Sequence, residues 1–139
     1  TKIESIARLQ EIKSGKLKDL VKNNMLIVDG SHNQHGAQVL NEYLQTLKCN
    51  KHIILGMMQN KEHDKYISYF KDISSITTID IPNQNSISGK ELKDKFKNHP
   101  NVQYQEGIEQ AIKSVPLKEN DILIITGSLY LAGEVLNLN

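Results

Sequence analysis

The chain alternates short, continuously apolar runs with stretches whose apolar residues recur every three or four positions. Leu26-Ile27-Val28 is apolar and too short for a buried helix, so it reads as a strand. From about Asn33 the period changes, and Ala37, Leu40, Leu44 and Leu47 form one stripe of an amphipathic helix. The same change then repeats along the chain. His52-Ile53-Ile54-Leu55 is a strand stopped by Gly56, Tyr66, Ile67, Phe70 and Ile73 mark a helix, and residues 76–81 form a strand closed by Pro82. Ser88 and Glu91 have the spacing of a capping box ahead of a helix carrying Leu92 and Phe96. Val102-Gln103-Tyr104 is a weak strand, and Ile108, Ala111, Ile112 and Val115 mark a helix ended by Pro116. Ile122-Leu123-Ile124-Ile125 is the most continuous apolar run, broken by Gly127. Ser128 opens a final helix with Leu129, Ala132, Val135 and Leu136. Ahead of these units, residues 8–12 read as an edge strand, Ser14-Gly15 as a turn, and Leu17, Leu20 and Val21 as a short helix.

Strands that are apolar on both faces and alternate with helices imply a mostly parallel sheet covered on two sides. The expected fold is therefore a three-layer, Rossmann-like α/β domain with a sheet of about six strands. It is expected to occupy residues 1–139 as one domain, with residues 1–25 leading into the strand–helix repeats of residues 26–139. In such sheets ligands bind outside the carboxyl ends of the strands. That topology selects four segments: residues 29–33, 56–61, 82–88 and 127–130.

Composition narrows the possible partners. The formal net charge is +1, which lacks the strongly basic face of a nucleic-acid binder. With two Phe and no Trp, stacking platforms for single strands are not expected either. No apolar run approaches the ~18 residues of a membrane span. The first residues lack the apolar stretch of a secretory signal, and the single Cys49 has no cysteine to pair with. A cytoplasmic protein is the expectation. His32 and His35 are three apart, but no third ligand stands at metal-like spacing, so no metal site is expected.

Residues 29–33 (Asp29-Gly30-Ser31-His32-Asn33) carry the densest candidate chemistry. Asp29 suits a ribose hydroxyl, and His32 suits a phosphate or carboxylate at a helix start. The plainer account is that Asp29 or Ser31 caps the helix and Gly30 makes the turn. Ser128 is placed in the same way, either beside an anion or as an N-cap. Lys61 follows a strand end. Arg8 is the only arginine, and its planar fork offers bidentate contacts that lysine cannot. Neither a Walker A loop nor Gly-x-Gly-x-x-Gly is present, so the chain has no standard phosphate cradle.

Taken together, four segments resemble a known family. They are Ala7-Arg8-Leu9-Gln10, then Leu26-Ile27-Val28-Asp29-Gly30-Ser31-His32-Asn33, then Ile54-Leu55-Gly56-Met57 with Lys61, and finally Gly127-Ser128-Leu129-Tyr130-Leu131-Ala132-Gly133-Glu134. In this order they resemble the C-terminal domain of folylpolyglutamate synthase/dihydrofolate synthase, shared more distantly with the Mur ligases. The resemblance implies a domain of an ATP-dependent ligase that adds L-glutamate to dihydropteroate or to folates through an acyl phosphate. It implies ATP as the nucleotide and Mg²⁺ held by a separate N-terminal P-loop domain. Arg8, Asp29 and His32 match residues facing the nucleotide. His32 and Ser128 match residues near the glutamate, and Asn33 and Lys61 lie beside the same cleft.

The sequence also departs from the family pattern. Ser5-Ile6 stands where Trp-Pro is common, Gln34 where a proline follows His-Asn, and Asn60-Lys61-Glu62 where Asp-Lys-Asp is common. Without a P-loop domain the chain is expected to be catalytically incomplete. The alternative is a stand-alone nucleotide-binding or interaction module that has lost the ligase chemistry.

Overall fold

A computed structural model describes residues 8–139. Ser5, Ile6 and Ala7 of the motif comparison lie outside these residues. The strands are β1 (Gln10–Ile12), β2 (Met25–Asp29), β3 (Lys51–Leu55), β4 (Ser75–Ile79), β5 (Val102–Gln105) and β6 (Ile122–Thr126). The helices are α1 (Lys16–Val21), α2 (Gln34–Gln45), α3 (His63–Ile67), α4 (Gly89–Asp94), α5 (Ile108–Ser114) and α6 (Leu129–Leu138). One six-stranded sheet has the order β1-β2-β6-β3-β4-β5. β1 runs antiparallel to β2, and every other neighbouring pair is parallel.

The alternation within each strand assigns the two helical layers. Leu26, Val28, Leu123, Ile125 and Ile54 point to one face, where they pack with Leu17 and Val21 of α1, Ala111 of α5 and Leu131 and Val135 of α6. Ile27, Ile53, Leu55, Ile122 and Ile124 point to the other, against Ala37, Leu40 and Leu44 of α2, Tyr66 of α3 and Leu92 of α4. This is the three-layer architecture expected from the sequence. β6, whose five residues are all buried, sits at the centre between β2 and β3. β5 is the edge strand opposite β1 and its residues are only half-buried, which explains why its apolar signal is weak.

The boundaries differ from expectation where local chemistry overrides periodicity. The helix expected through Phe70 and Ile73 ends at Ile67, and Asp72 takes a left-handed φ of 55° that rules out helix through Ile73. Phe70 still packs edge-on to Tyr66 with ring centroids 5.3 Å apart, so the apolar spacing reflects a compact turn. Val115 is extended (φ −75°, ψ 126°) because the following Pro116 excludes the helical region. β4 stops at Ile79, yet Ile81 stays buried in the loop beyond it. Ser88 Oγ accepts from the Glu91 N–H at 3.2 Å, forming the capping half of the predicted box.

Two glycines of the last segment make opposite demands. Gly127 has φ +115°, and a Cβ there would lie 2.3 Å from the Gly56 carbonyl oxygen. Gly133, inside α6, has open space around a Cβ. Gly127→Ala should therefore destabilise the fold by about 2 kcal/mol or more, while Gly133→Ala should stabilise it by about 0.5–1 kcal/mol. Urea unfolding of the two variants beside the parent chain reads both signs.

Candidate functional site

The parallel strands bring the carboxyl ends of β2, β3, β4 and β6 to one edge of the sheet. At the β2–β6 pair the following helices diverge, with α2 going to one face and α6 to the other. Such a divergence opens a crevice at the carboxyl edge. A cavity of about 440 Å³ lies there, and Arg8, Asp29, His32, His35, Val39 and Leu129 are among the residues that line it.

Asp29 ends β2 and is 4% exposed. Its Oδ1 accepts from the Leu9 backbone N–H at 3.1 Å, and its Oδ2 accepts from the Ser31 N–H at 3.1 Å and the Thr126 hydroxyl at 3.4 Å. A carboxylate out of water needs such donors, and this one finds them on three separate segments. Leu9 has a left-handed φ of 48°, a conformation costly for a branched residue and held in place by its bond to Asp29. The carboxylate therefore fixes the backbone beside exposed Arg8.

A second layer of polar contacts lies beneath. The Tyr66 hydroxyl is 2.8 Å from Ser31 Oγ and 2.8 Å from Thr126 Oγ1. Ser31 Oγ is also 3.3 Å from Thr126 Oγ1. Burial pushes the Tyr66 phenol well above its ordinary range, against the opposing effect of its bonds to Ser31 and Thr126. Gly36 lets α2 approach this cluster, since a Cβ there would lie 2.6 Å from Ser31 Cβ.

His32 Nδ1 lies 3.1 Å from the Gly30 carbonyl oxygen. A carbonyl only accepts, so Nδ1 carries the proton and Nε2 is left for a ligand. Nε2 accepts from a hydroxyl when the ring is neutral and donates to an anion when it is protonated. Neither Asp29 nor Ser31 caps α2. Asn33 does, its Oδ1 accepting from the Gly36 N–H at 2.9 Å.

The candidate residues thus separate. Arg8, Asp29, His32 and Asn33 meet in one cavity. Ser128 is 1% exposed and its Oγ caps α6, accepting from the Leu131 N–H at 3.3 Å. The N-cap reading therefore accounts for its hydroxyl. Lys61, half-buried after β3, is outside the cavity lining. His35, Val39 and Leu129 join the lining without having been candidates; only the three-residue spacing of His32 and His35 hinted at the first of them. Among the described residues no three His, Cys, Asp or Glu side chains gather as a metal site. Nor is any helix there long and apolar enough to cross a membrane.

An open, mostly parallel sheet with one antiparallel edge strand and a crevice between β2 and β6 defines a Rossmann-like domain. The family model described as "Mur ligase, glutamate ligase domain" matches residues 10–129, and the chain belongs to that family. It is 29% identical to a dihydrofolate synthase/folylpolyglutamate synthase of Haemophilus influenzae, with 95% of this chain and 34% of that protein covered. The fold matches folylpolyglutamate synthase from Thermotoga maritima with a TM-score of 0.79 at 24% identity, covering 94% of this chain and 30% of that one. It also matches a bifunctional folylpolyglutamate synthase/dihydrofolate synthase with Mn, AMPPNP and L-glutamate bound, with a TM-score of 0.77 at 17% identity and the same coverages. The chain thus spans about a third of the length of the curated relative it matches.

Folding holds Tyr66 protonated, so the sign of its effect on stability is fixed. Its contribution is complete below the pH of about 10 at which an unfolded tyrosine ionises, and it is lost as pH rises further. Tyr66→Phe should cost about 1–2 kcal/mol at neutral pH, because Ser31 and Thr126 lose a buried partner. It should also make the loss of stability in alkali shallower. Thermal unfolding across a pH series measures both effects.

Proposed function

We propose that this chain is the C-terminal domain of an ATP-dependent ligase that joins L-glutamate to dihydropteroate or a folate. An N-terminal P-loop domain, in the same or a separate chain, completes it. The observation that carries this reading is the convergence of Arg8, Asp29 and His32 on one crevice at the point where α2 and α6 diverge. Family membership and the ligands of the similar synthase support it.

Bound ATP would supply the phosphoryl group that activates the acceptor carboxylate as an acyl phosphate, which the glutamate amine then attacks. Each residue of this chain has a defined part. The Arg8 guanidinium is exposed at the mouth of the cavity and offers paired donors to phosphate oxygens. It stabilises charge that grows as the phosphoryl group moves. Asp29 acts mainly by position, since its bond to the Leu9 N–H sets the backbone from which Arg8 reaches out. It retains lone-pair capacity for a ribose hydroxyl. His32 Nε2 faces either the nucleotide or the glutamate carboxylate. Asn33 orders the start of α2 rather than holding a ligand. Ser128 shapes the glutamate side by capping α6, and Lys61 supplies positive charge farther along the same edge. Closure of the two domains excludes water that would hydrolyse the acyl phosphate. In this reading Mg²⁺ would be held by the partner domain.

The test combines the chain with the P-loop half of a similar synthase, in one polypeptide or as two. ADP formation should appear only when dihydropteroate or folate and glutamate are both present. Arg8→Lys should lower kcat by about 10²-fold with little change in unfolding midpoint. Asp29→Ala should lower both. If no combination forms ADP while the isolated chain still binds ATP, the chain is a binding module that has lost the ligase chemistry.

A further inference from the structure

At the opposite, amino-terminal edge of the sheet, three side chains from three strand starts form a linear chain of hydrogen bonds. His52 of β3 lies between Ser75, the first residue of β4, and Asp121, immediately before β6. His52 Nδ1 is 2.6 Å from Ser75 Oγ, and His52 Nε2 is 2.9 Å from Asp121 Oδ2. All three residues are 9% exposed or less, and all three line a second cavity of about 560 Å³. The five-residue strands between the two edges are about 17 Å long, so this cavity is separate from the nucleotide-facing crevice.

The protons on this chain can be assigned. An ionised carboxylate only accepts, so Nε2 carries the proton toward Asp121. Burial pushes the Asp121 carboxyl up, but hydrogen bonds from the Lys118 backbone N–H, His52 and Asn50 outweigh it and hold the group below its ordinary value. When the ring is neutral, Nδ1 is a bare acceptor and the Ser75 hydroxyl donates to it. A serine bonded to a neutral imidazole, itself oriented by a buried carboxylate, is the arrangement that activates a hydroxyl for attack on an acyl carbon. The ring nitrogens exchange roles relative to the usual triad, which leaves the proton path unchanged. A purely structural histidine would need the two bonds but not a cavity at the serine end. Here Ser75, Asn101 and Gln103 form part of the wall of one.

We propose that Ser75, His52 and Asp121 form an acyl-transfer centre that accepts the acyl group of small activated esters. Ser75 Oγ attacks the ester carbonyl carbon and its proton passes to His52 Nδ1. The C–O bond to the leaving group breaks, the imidazolium returns that proton to the leaving oxygen, and acyl-Ser75 remains. Water attacks the acyl group by the same route, giving the carboxylic acid and restoring the serine hydroxyl. Ser75 and His52 are the catalytic residues, and Asp121 is a positioning residue.

The test is p-nitrophenyl acetate with the intact chain, followed by release of p-nitrophenolate and by peptide mapping of the acetylated protein. The expected result is acetyl on Ser75 and a rate that falls by about 10²-fold in His52→Gln and to background in Ser75→Ala. Asp121→Asn should lower kcat while leaving KM for the ester unchanged. Ser75→Ala removes one hydroxyl, and its fold is checked by circular dichroism. If a variant fails to fold, the mapping of the parent chain decides alone. Acetyl found only on lysines, or a folded Ser75→Ala with the parent rate, overturns the proposal.

Discussion

The carboxylate of Asp29 organises the edge of the sheet where the crevice lies. It is buried and must be met by donors, and the donors it finds belong to the segment ahead of β1, the β2–α2 loop and the end of β6. Removing it would leave the Leu9 N–H, the Ser31 N–H and the Thr126 hydroxyl short of an acceptor together, at about 1–3 kcal/mol for each group that stays buried and unpaired. Because the three segments converge on this residue, it ties the approach to β1, the β2–α2 loop and the end of β6 together at the crevice. The apolar layers on either face fix where β2 and β6 lie. Asp29 fixes how the chain leaves and approaches them.

Below the carboxylate, the Ser31–Tyr66–Thr126 cluster connects α3 to the same edge. Neighbouring loops are joined as well. The Gln59 N–H donates to the Asn85 carbonyl at 2.7 Å, and the Ile87 N–H to the Met57 carbonyl at 3.1 Å. The Tyr130 hydroxyl donates to the Pro82 carbonyl at 3.0 Å. The loops after β3 and β4 and the start of α6 therefore hold one another without a ligand. Preorganisation of this kind lowers the ordering cost of any binding at this edge.

The layer architecture was legible because each strand is apolar on both faces and each helix carries a stripe. Leu26-Ile27-Val28 and Ile122-Leu123-Ile124-Ile125 admit few other readings. The strand order was not legible. Nothing in residues 102–126 signals that β6 inserts between β2 and β3, since that placement follows from which parallel registers close together. Residues 29–33 stood out as a candidate segment, but the role of each member depended on a distant partner. Asn33 rather than Asp29 is the cap because α2 starts only at Gln34, and the Asp29 carboxylate instead accepts from Leu9, twenty positions earlier in the chain. The His52–Ser75–Asp121 chain was invisible for the same reason, as its members are brought together only by strand register.

Exposure separates the crevice residues by function. A group meant to organise its own domain is best buried, where its bonds are strong and permanent. A group meant to meet a ligand or a second domain must remain open until that partner comes. Asp29, at 4% exposure, is held within its own domain, whereas Arg8 and Val39 are exposed. An arginine at the mouth of a cavity, beside a valine that is 43% exposed, gives one wall both charge and apolar area while leaving the other side open. A charge in that position interacts more strongly once water is excluded from it, which is the physical content of the proposed role of Arg8.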